Sequence, residues 1–452
     1  MFVFFQAALL FLLSVSFVSF IVIPPSAVPV ASAFANHLWP QSLKSFKMSS
    51  LLLPLLYCLL FPTFLIAAPT PISPEQGELV VRYVRDRAPE DFISLGRANT
   101  NEVAHFSLAL PQRNMHLLAA VLEDIANPKS PNYGKWLTKA EVMELVGTPP
   151  AIVSKVREWL TSNGEGLLST KFTGDSILVS ATVDFVERLF NTEVHYFHNF
   201  DQRFTIVRHV GELSIPSSVN EHVELVTGLT DFPPPRFRQP GKDPENGGFN
   251  PCNTPPFIRA LYNMTSEDVA SSGVSQAPFA QTSGNGDDGF GTISLAQFQK
   301  QCAVANNPCN RTLGSGEYSP SYTDGEANLD MEMLTTIGVG AETDFFIIDA
   351  NKGWMYEYTQ ELISTANPPL VNSISYGWEE DQECRNTSVP FVGKCKELHI
   401  PDSKTYVNRT NGEFMKLSSM GLTFVVASGD GGMLPSEHTQ QHLGLRTPQK
   451  LK

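Results

Sequence analysis

The chain has 452 residues, 42% of them hydrophobic, which is enough for two or three domains with cores of their own and excludes coiled coil, collagen and wholesale disorder. Its formal charge of −14 excludes the Lys and Arg surplus on which nucleic-acid binding through counterion release depends, so no nucleic-acid partner is expected. The acidic balance fits an acidic working medium.

Two apolar stretches open the chain, Phe2–Ile23 and Leu51–Ala68. The second follows Lys44, Lys47 and Met48, has the length of a secretory signal and ends at Ala67-Ala68, so residues 48–68 read as a signal peptide and residues 1–47 as an upstream extension. The other reading is a two-helix membrane anchor, because the first stretch is uncharged and nearly long enough to span. On the signal-peptide reading the protein is secreted and extracellular, with no stable membrane partner. Sequons at Asn263, Asn310, Asn386 and Asn408 agree with export, and each must then lie on the surface.

From about Glu75 to residue 232 short apolar runs alternate with amphipathic stretches. Strands are expected over His105–Leu110, Gly166–Lys171, Ile177–Ala181 and Glu193–Tyr196, and helices over Met115–Ile125, Ala151–Thr161 and Thr182–Phe190. Helices separating pairs of short strands point to an α+β, ferredoxin-like antiparallel sheet. A proline-dense linker over 233–248, with Arg236, Arg238 and Lys242, follows. It is either an accessible activation site or a plain spacer.

Beyond it the pattern is that of a parallel sheet. Phe345–Ile348, Leu370–Ser375 and Leu422–Val426 are apolar runs fit for buried strands, with helical stretches at Trp354–Ala366 and Asn411–Met420 between them. Gly273–Gly291 is rich in Ser, Gly, Asn and Asp where a further buried strand would be welcome, and composition gives no account of it. One cysteine of six, Cys58, lies in the apolar leader. In a secreted protein the spacing of the others suggests local disulfides Cys302–Cys309 and Cys384–Cys395, with Cys252 left over; metal binding is disfavoured by the lack of a Cys-x-x-Cys pair.

Two features carry chemistry. A helix running to Gly338 puts Glu326 and Asp330 one turn apart, where like charges repel and burial would make one carboxyl keep its proton; the same pair is also what a solvated helix face presents. Further on, an apolar strand runs into Ser428-Gly429-Asp430-Gly431-Gly432, presenting an acid at the carboxyl edge of the sheet. A neutral Asp430 there would donate to a developing oxyanion, although a simple Asp-Gly turn looks the same.

Taken in order, the Glu-x-x-x-Asp helix, Ser373-Ile374-Ser375-Tyr376-Gly377 and the Ser-Gly-Asp-Gly-Gly turn resemble the sedolisin (serine-carboxyl peptidase) family, including its tripeptidyl-peptidase members. Upstream, Ser130-Pro131-Asn132-Tyr133-Gly134-Lys135-Trp136-Leu137-Thr138 resembles the family's propeptide signature, and Cys252-Asn253-Thr254-Pro255 leading to Arg259-Ala260-Leu261-Tyr262 resembles the start of its mature enzyme. The resemblance covers roughly residues 75–432. It implies a propeptide over 75–232 and, over 249–432, the first part of a subtilisin-like α/β catalytic domain that acts on peptides or proteins in acid. It further implies Glu326 as general base, Asp330 as the acid orienting it, Asp430 as oxyanion donor, and Ser375, Tyr376 and Gly377 lining the cleft.

The family's serine motif, Gly-Thr-Ser-x-Ser, is not matched, since Gly291-Thr292-Ile293-Ser294 is upstream and differs. The family's calcium site is also missing, and residues 433–452 read as an aberrant tail. His438 and His442 have zinc-helix spacing without the required Glu. The expectation is a zymogen of the tripeptidyl-peptidase or endopeptidase kind that is inactive as given. The alternative is a non-catalytic propeptide-type inhibitor or chaperone of an intact paralogue.

Overall fold

The computed structural model describes residues 78–89, 92–199, 204–233, 254–282, 293–318, 325–377 and 403–427, all within one compact unit, Ser73–Lys452. The leader segments, Cys252, Cys384, Cys395, Asn386, Asp430 and the 433–452 tail lie outside the described residues.

The upstream part holds two antiparallel four-stranded sheets. The first is built from β1 (Leu79–Arg85), β2 (Phe92–Arg97), β6 (Glu193–Asn199) and β7 (Phe204–Pro216), in the order β1-β7-β6-β2. The second comprises β3 (Val103–Ala109), β4 (Leu167–Phe172), β5 (Ser176–Thr182) and β8 (Leu225–Thr227), in the order β4-β5-β3-β8. This second sheet has the strand order of a split βαβ unit, with its helices between β3 and β4 and between β5 and β6. The helices are α1 (Met115–Ala126), α2 (Lys139–Val146), α3 (Pro150–Ser162), α4 (Val183–Phe190) and a single turn, α5 (Ser217–Asn220).

One correction concerns β6. The expectation of a single sheet put Glu193–Tyr196 beside the other strands, whereas β6 pairs with β7 and β2 in a separate sheet. Period-two alternation marks a half-buried strand, but its partner is chosen by long-range pairing. The core under the second sheet brings Phe106, Val179, Trp159, Phe185 and Phe190 together, with Phe190 edge-on to both Phe106 and Trp159.

The sequence motif Ser130–Thr138 acquires a local reason. Asp124 accepts from Ser130 Oγ and, at 2.8 Å, from Asn132 Nδ2, which fixes the turn after α1. Thr138 then caps α2 in a reciprocal capping box with Glu141. At the entry to the linker Phe232 packs edge-on against Phe92 and Phe197, and Pro233, its first residue, is buried; residues 234–248 lie outside the described residues.

After α6 (Pro255–Leu261) the downstream part is one parallel sheet with helices on both faces. Its strands are β9 (Ser275–Thr282), β10 (Cys309–Leu313), β11 (Glu342–Asp349), β12 (Val371–Ile374) and β13 (Thr423–Val426), in the order β10-β11-β9-β12-β13. The crossovers are α7 (Leu295–Ala305), α8 (Gly325–Ile337), α9 (Met355–Ser364) and α10 (Ser403–Ser419). Along β11, Phe345 and Ile347 join Phe298 and Met331 from α7 and α8, while Phe346 and Ile348 join Tyr358 and Leu417 from α9 and α10. Each face is therefore covered, as a parallel sheet requires. Cys302 at the end of α7 and Cys309 at the start of β10 form a disulfide.

The first part of the polar segment that composition left unexplained, Ser275–Thr282, is β9, the central strand, and residues 283–291 lie outside the described residues. Gln276 and Gln281 are buried and Ser275 half-buried, and each of the three finds a partner. Gln276 donates to the Leu334 carbonyl at 3.1 Å and Gln281 to the Gly353 carbonyl at 3.1 Å, while Ser275 accepts from the Leu370 amide at 3.1 Å. Its one large apolar side chain, Phe279, is ringed edge-on by Trp354, Tyr358 and Tyr376.

Candidate active site

The chain enters the sheet at β9, moves out to β10 and β11 on one side, then crosses β9 to β12 and β13 on the other. Crevices at such a reversal open at the carboxyl ends of the strands. Two segments meet there: the first turn of α8, which follows β10, and residues 375–377, which follow β12.

The orientation of α8 is set by the side chains it buries. Ala327, Met331 and Thr335, four residues apart, face the sheet, and Asn328 accepts from Gln297 of α7 at 2.9 Å. Glu326 and Asp330 fall one position earlier, along the edge of the buried face. Both are part-buried. Ser375 Oγ donates to Asp330 Oδ1 at 2.6 Å, tying the helix to the end of β12. Burial pushes the Asp330 carboxyl up to about 7; the Ser375 bond opposes this and the charge of Glu326 adds to it. Asp330 Oδ2 is buried and has no hydrogen-bond partner among the described residues, so it is the oxygen free to hold the proton. Sequence reading thus anticipated the neighbouring acids, while the Ser375–Asp330 bond required the folded chain.

Tyr376 and Gly377 open onto a cavity of about 200 Å³ whose walls also include Trp354, Phe414 and Val426. Sequence reasoning missed these wall residues. The spacing of Tyr406, Thr410 and Phe414 along α10, one turn apart each time, was the available signal. Of the sequons, Asn263 and Asn408 are exposed, and Asn310 lies in β10. Among the described residues no three His, Cys, Asp or Glu side chains converge as metal ligands, so no calcium site is assigned to them.

The upstream part is seated on the downstream part through buried polar contacts that sequence reading did not anticipate. Asp175, before β5, meets Lys416 of α10 at 2.7 Å and Arg409 at 3.3 Å, while Lys416 also meets Glu413 at 2.5 Å and Arg409 meets Glu224 at 2.7 Å. Burial would raise the Asp175 carboxyl, but Lys416 and Arg409 together outweigh it and hold the group below its ordinary range. Nearby, Thr227 donates to Glu357 of α9. Burial and then the charge of Asp231 push Glu357 up to about 8. Leu137 donates to the Ser419 carbonyl at 2.8 Å, and Trp136 lies against Gly421, so the Ser130–Thr138 motif docks on the turn between α10 and β13.

Residues 90–232 match the pro-kumamolisin activation domain. The chain is 31% identical to Physarolisin of Physarum polycephalum over 342 residues, covering 75% of this chain and 55% of that protein. It is 29% identical to tripeptidyl-peptidase 1 of Rattus norvegicus over 359 residues, 76% of this chain and 59% of the relative. The human tripeptidyl-peptidase 1 gives 29% over 365 residues, 77% and 60% respectively. The chain belongs to the sedolisin family. Physarolisin and tripeptidyl-peptidase 1 are serine-carboxyl peptidases of that family. This sedolisin spans less than two thirds of the length of the relatives it matches. The activation-domain match takes in β2 to β8 of its upstream sheets, and its parallel sheet carries the Glu326, Asp330 and Ser375 cluster.

Proposed function

We propose that this sedolisin is the zymogen form of a secreted peptidase that hydrolyses peptide bonds in acid, with Glu326 as general base and Asp330 as the neutral acid that orients it. The observation that carries the reading is the Ser375–Asp330 bond, which holds a carboxyl with a raised pKa beside a second carboxyl at the sheet's carboxyl edge. While Asp330 keeps its proton, Glu326 is the single charge of the pair and can accept a proton from an attacking serine hydroxyl as the new carbon–oxygen bond forms. The proton then passes to the leaving amine. A neutral Asp430 would donate to the oxyanion of the tetrahedral intermediate. Peptides or proteins are the substrates, and the tripeptidyl-peptidase relatives extend this to removal of tripeptides.

The 452 residues contain no Gly-Thr-Ser-x-Ser run, and on this reading the chain binds peptide far better than it turns it over. Export runs through the 48–68 leader, and calcium is expected of the full-length family, with its site missing from this sequence. The test titrates the full chain with a fluorescent unstructured peptide at about pH 4 and about pH 7, alongside a turnover assay. Binding that is stronger in acid and lost in Glu326→Ala supports the reading. Equal binding at both pH values, or none, overturns it.

A further inference from the structure

The seam between the matched activation domain, residues 90–232, and the parallel-sheet part buries a group of polar side chains that the proton transfers above do not use. Arg208 of β7 is fully buried, and Asp231, after β8, and Glu357 of α9 are each only 4% exposed. Arg208 reaches across the seam, donating to the Ala350 carbonyl at 2.9 Å and the Asn351 carbonyl at 3.2 Å, and on its own side to the Val207 and Asp231 carbonyls. Glu357 reaches back the other way. It accepts from the Thr227 hydroxyl of β8, and from the Trp354 amide at 3.0 Å.

Neither carboxyl is paired with a cation. All four hydrogen bonds of Arg208 among the described residues end on backbone carbonyls, and Asp231 accepts only from the Gly228 amide, through Oδ1, while its Oδ2 is buried with no hydrogen-bond partner among them. Two carboxyls buried in one place without an ion pair cannot both ionise cheaply, so one of them keeps its proton. Burial and then the Asp231 charge make Glu357 that one. The other charged and titratable groups of the seam are Asp349 and Lys352 in the turn before α9, His105 of β3, and Arg85 and His209 on the first upstream sheet. Burial raises Asp349 in the same way. Burial and Lys352 lower His105 to about 4, and burial with Arg85 and Arg208 lowers His209 well below its ordinary value, so both imidazoles are neutral.

We infer that Glu357 is a proton-held latch of the seam: while it is neutral, its contact with Thr227 keeps the activation domain seated on α9, and its ionisation beside Asp231 loosens that seating. The inference rests on the activation-domain match and not on the peptidase reading. A carboxyl raised from 4.5 to about 8 contributes fully below 4.5 and loses that contribution as pH rises through 8. The other end of the seam has the opposite sign. Against burial, Lys416 and Arg409 hold Asp175 below its ordinary range, so its contribution is lost only as pH falls. The neutral histidines, lowered from 6.5, also weaken the seam only on the acid side. Mild acid therefore tightens the Glu357 end, and a seam that loosens as pH rises is the mark of the latch.

The experiment follows amide hydrogen exchange of the full chain by mass spectrometry between about pH 5 and about pH 9, corrected for the intrinsic pH dependence of exchange. It compares residues 225–232 and 350–358, on the two sides of the seam, with residues 177–190 inside the activation domain. Opening of the two seam stretches together, at unchanged protection of 177–190, should rise by up to about tenfold per pH unit and level off above about 8. Glu357→Gln can still accept from the Trp354 amide and bond to Thr227, and it cannot ionise. Measured relative to that variant, the wild-type seam should open at least about tenfold more at about pH 7.5 than at about pH 5. Asp231→Asn removes the like charge, so its levelling-off should move to lower pH, and this comparison carries the test alone if Glu357→Gln does not fold. Parallel opening of wild type and Glu357→Gln across the range, or a levelling-off that Asp231→Asn leaves in place, overturns the latch. Exchange of 177–190 that rises together with the seam stretches also overturns it, because the whole domain is then unfolding rather than lifting off.

Discussion

Asp330→Asn isolates the central electrostatic claim. In the unfolded chain this carboxyl titrates near 3.8 and in the fold at about 7, so between those values the folded chain holds a proton that the unfolded chain has lost. With a raised folded pKa, the Asp330 contribution is fully present below 3.8 and is lost as pH rises through 7. At about 1.4 kcal/mol per pH unit, that interval corresponds to a ceiling of about 4 kcal/mol, reduced because the residue is only part-buried. Asparagine keeps an oxygen to accept from Ser375 and cannot ionise. Stability of the two proteins, read from urea denaturation, should therefore be similar at about pH 4, with the variant ahead by about 2 kcal/mol or more at about pH 7.5. Peptide binding by the variant should also lose most of its dependence on pH between those points. If wild type and variant lose stability in parallel as pH rises, Asp330 does not hold its proton in the fold and the acid-pair argument fails.

Other expectations follow from the same structure. Asp175→Ala leaves the buried Lys416 and Arg409 short of one anion and should destabilise by about 3 kcal/mol, while the Asp175→Ala, Lys416→Met double variant should recover part of the loss in a double-mutant cycle. Asp231→Asn removes a charge that helps raise Glu357, so the Glu357 titration, followed by carboxyl carbon NMR, should move down from about 8; an unchanged midpoint would count against the contact. Phe279→Ala should cost about 3–5 kcal/mol by thermal or urea unfolding, since it opens a cavity among Trp354, Tyr358 and Tyr376 at the centre of the parallel sheet.

Much of the local structure was legible because burial imprints a period on the chain. The helices at 115–126, 150–162 and 183–190 follow the spacing of their hydrophobic residues, and β11 and β12 their apolar runs, whereas β13, expected to be buried, is the edge strand and exposes Val425 and Val426. The acidic pair was legible for the same reason, since residues one turn apart on a helix must be neighbours. Short apolar or mixed segments such as β8 and β10 carry too few residues to show a period.

What the sequence by itself determined was the apolar face of the longer helices and which acids lie side by side on one helix, because those depend on residues close in the chain. Tertiary structure alone decided what buries them. Gln276 and Gln281 can sit inside a central strand only because carbonyls of Leu334 and Gly353 come to them, and Asp175 can be buried only because Lys416 arrives from the far side of the chain. The raised pKa of Asp330 belongs to the same class. It comes from the desolvation and the Ser375 contact that the sheet imposes on α8, and no spacing along the chain encodes either.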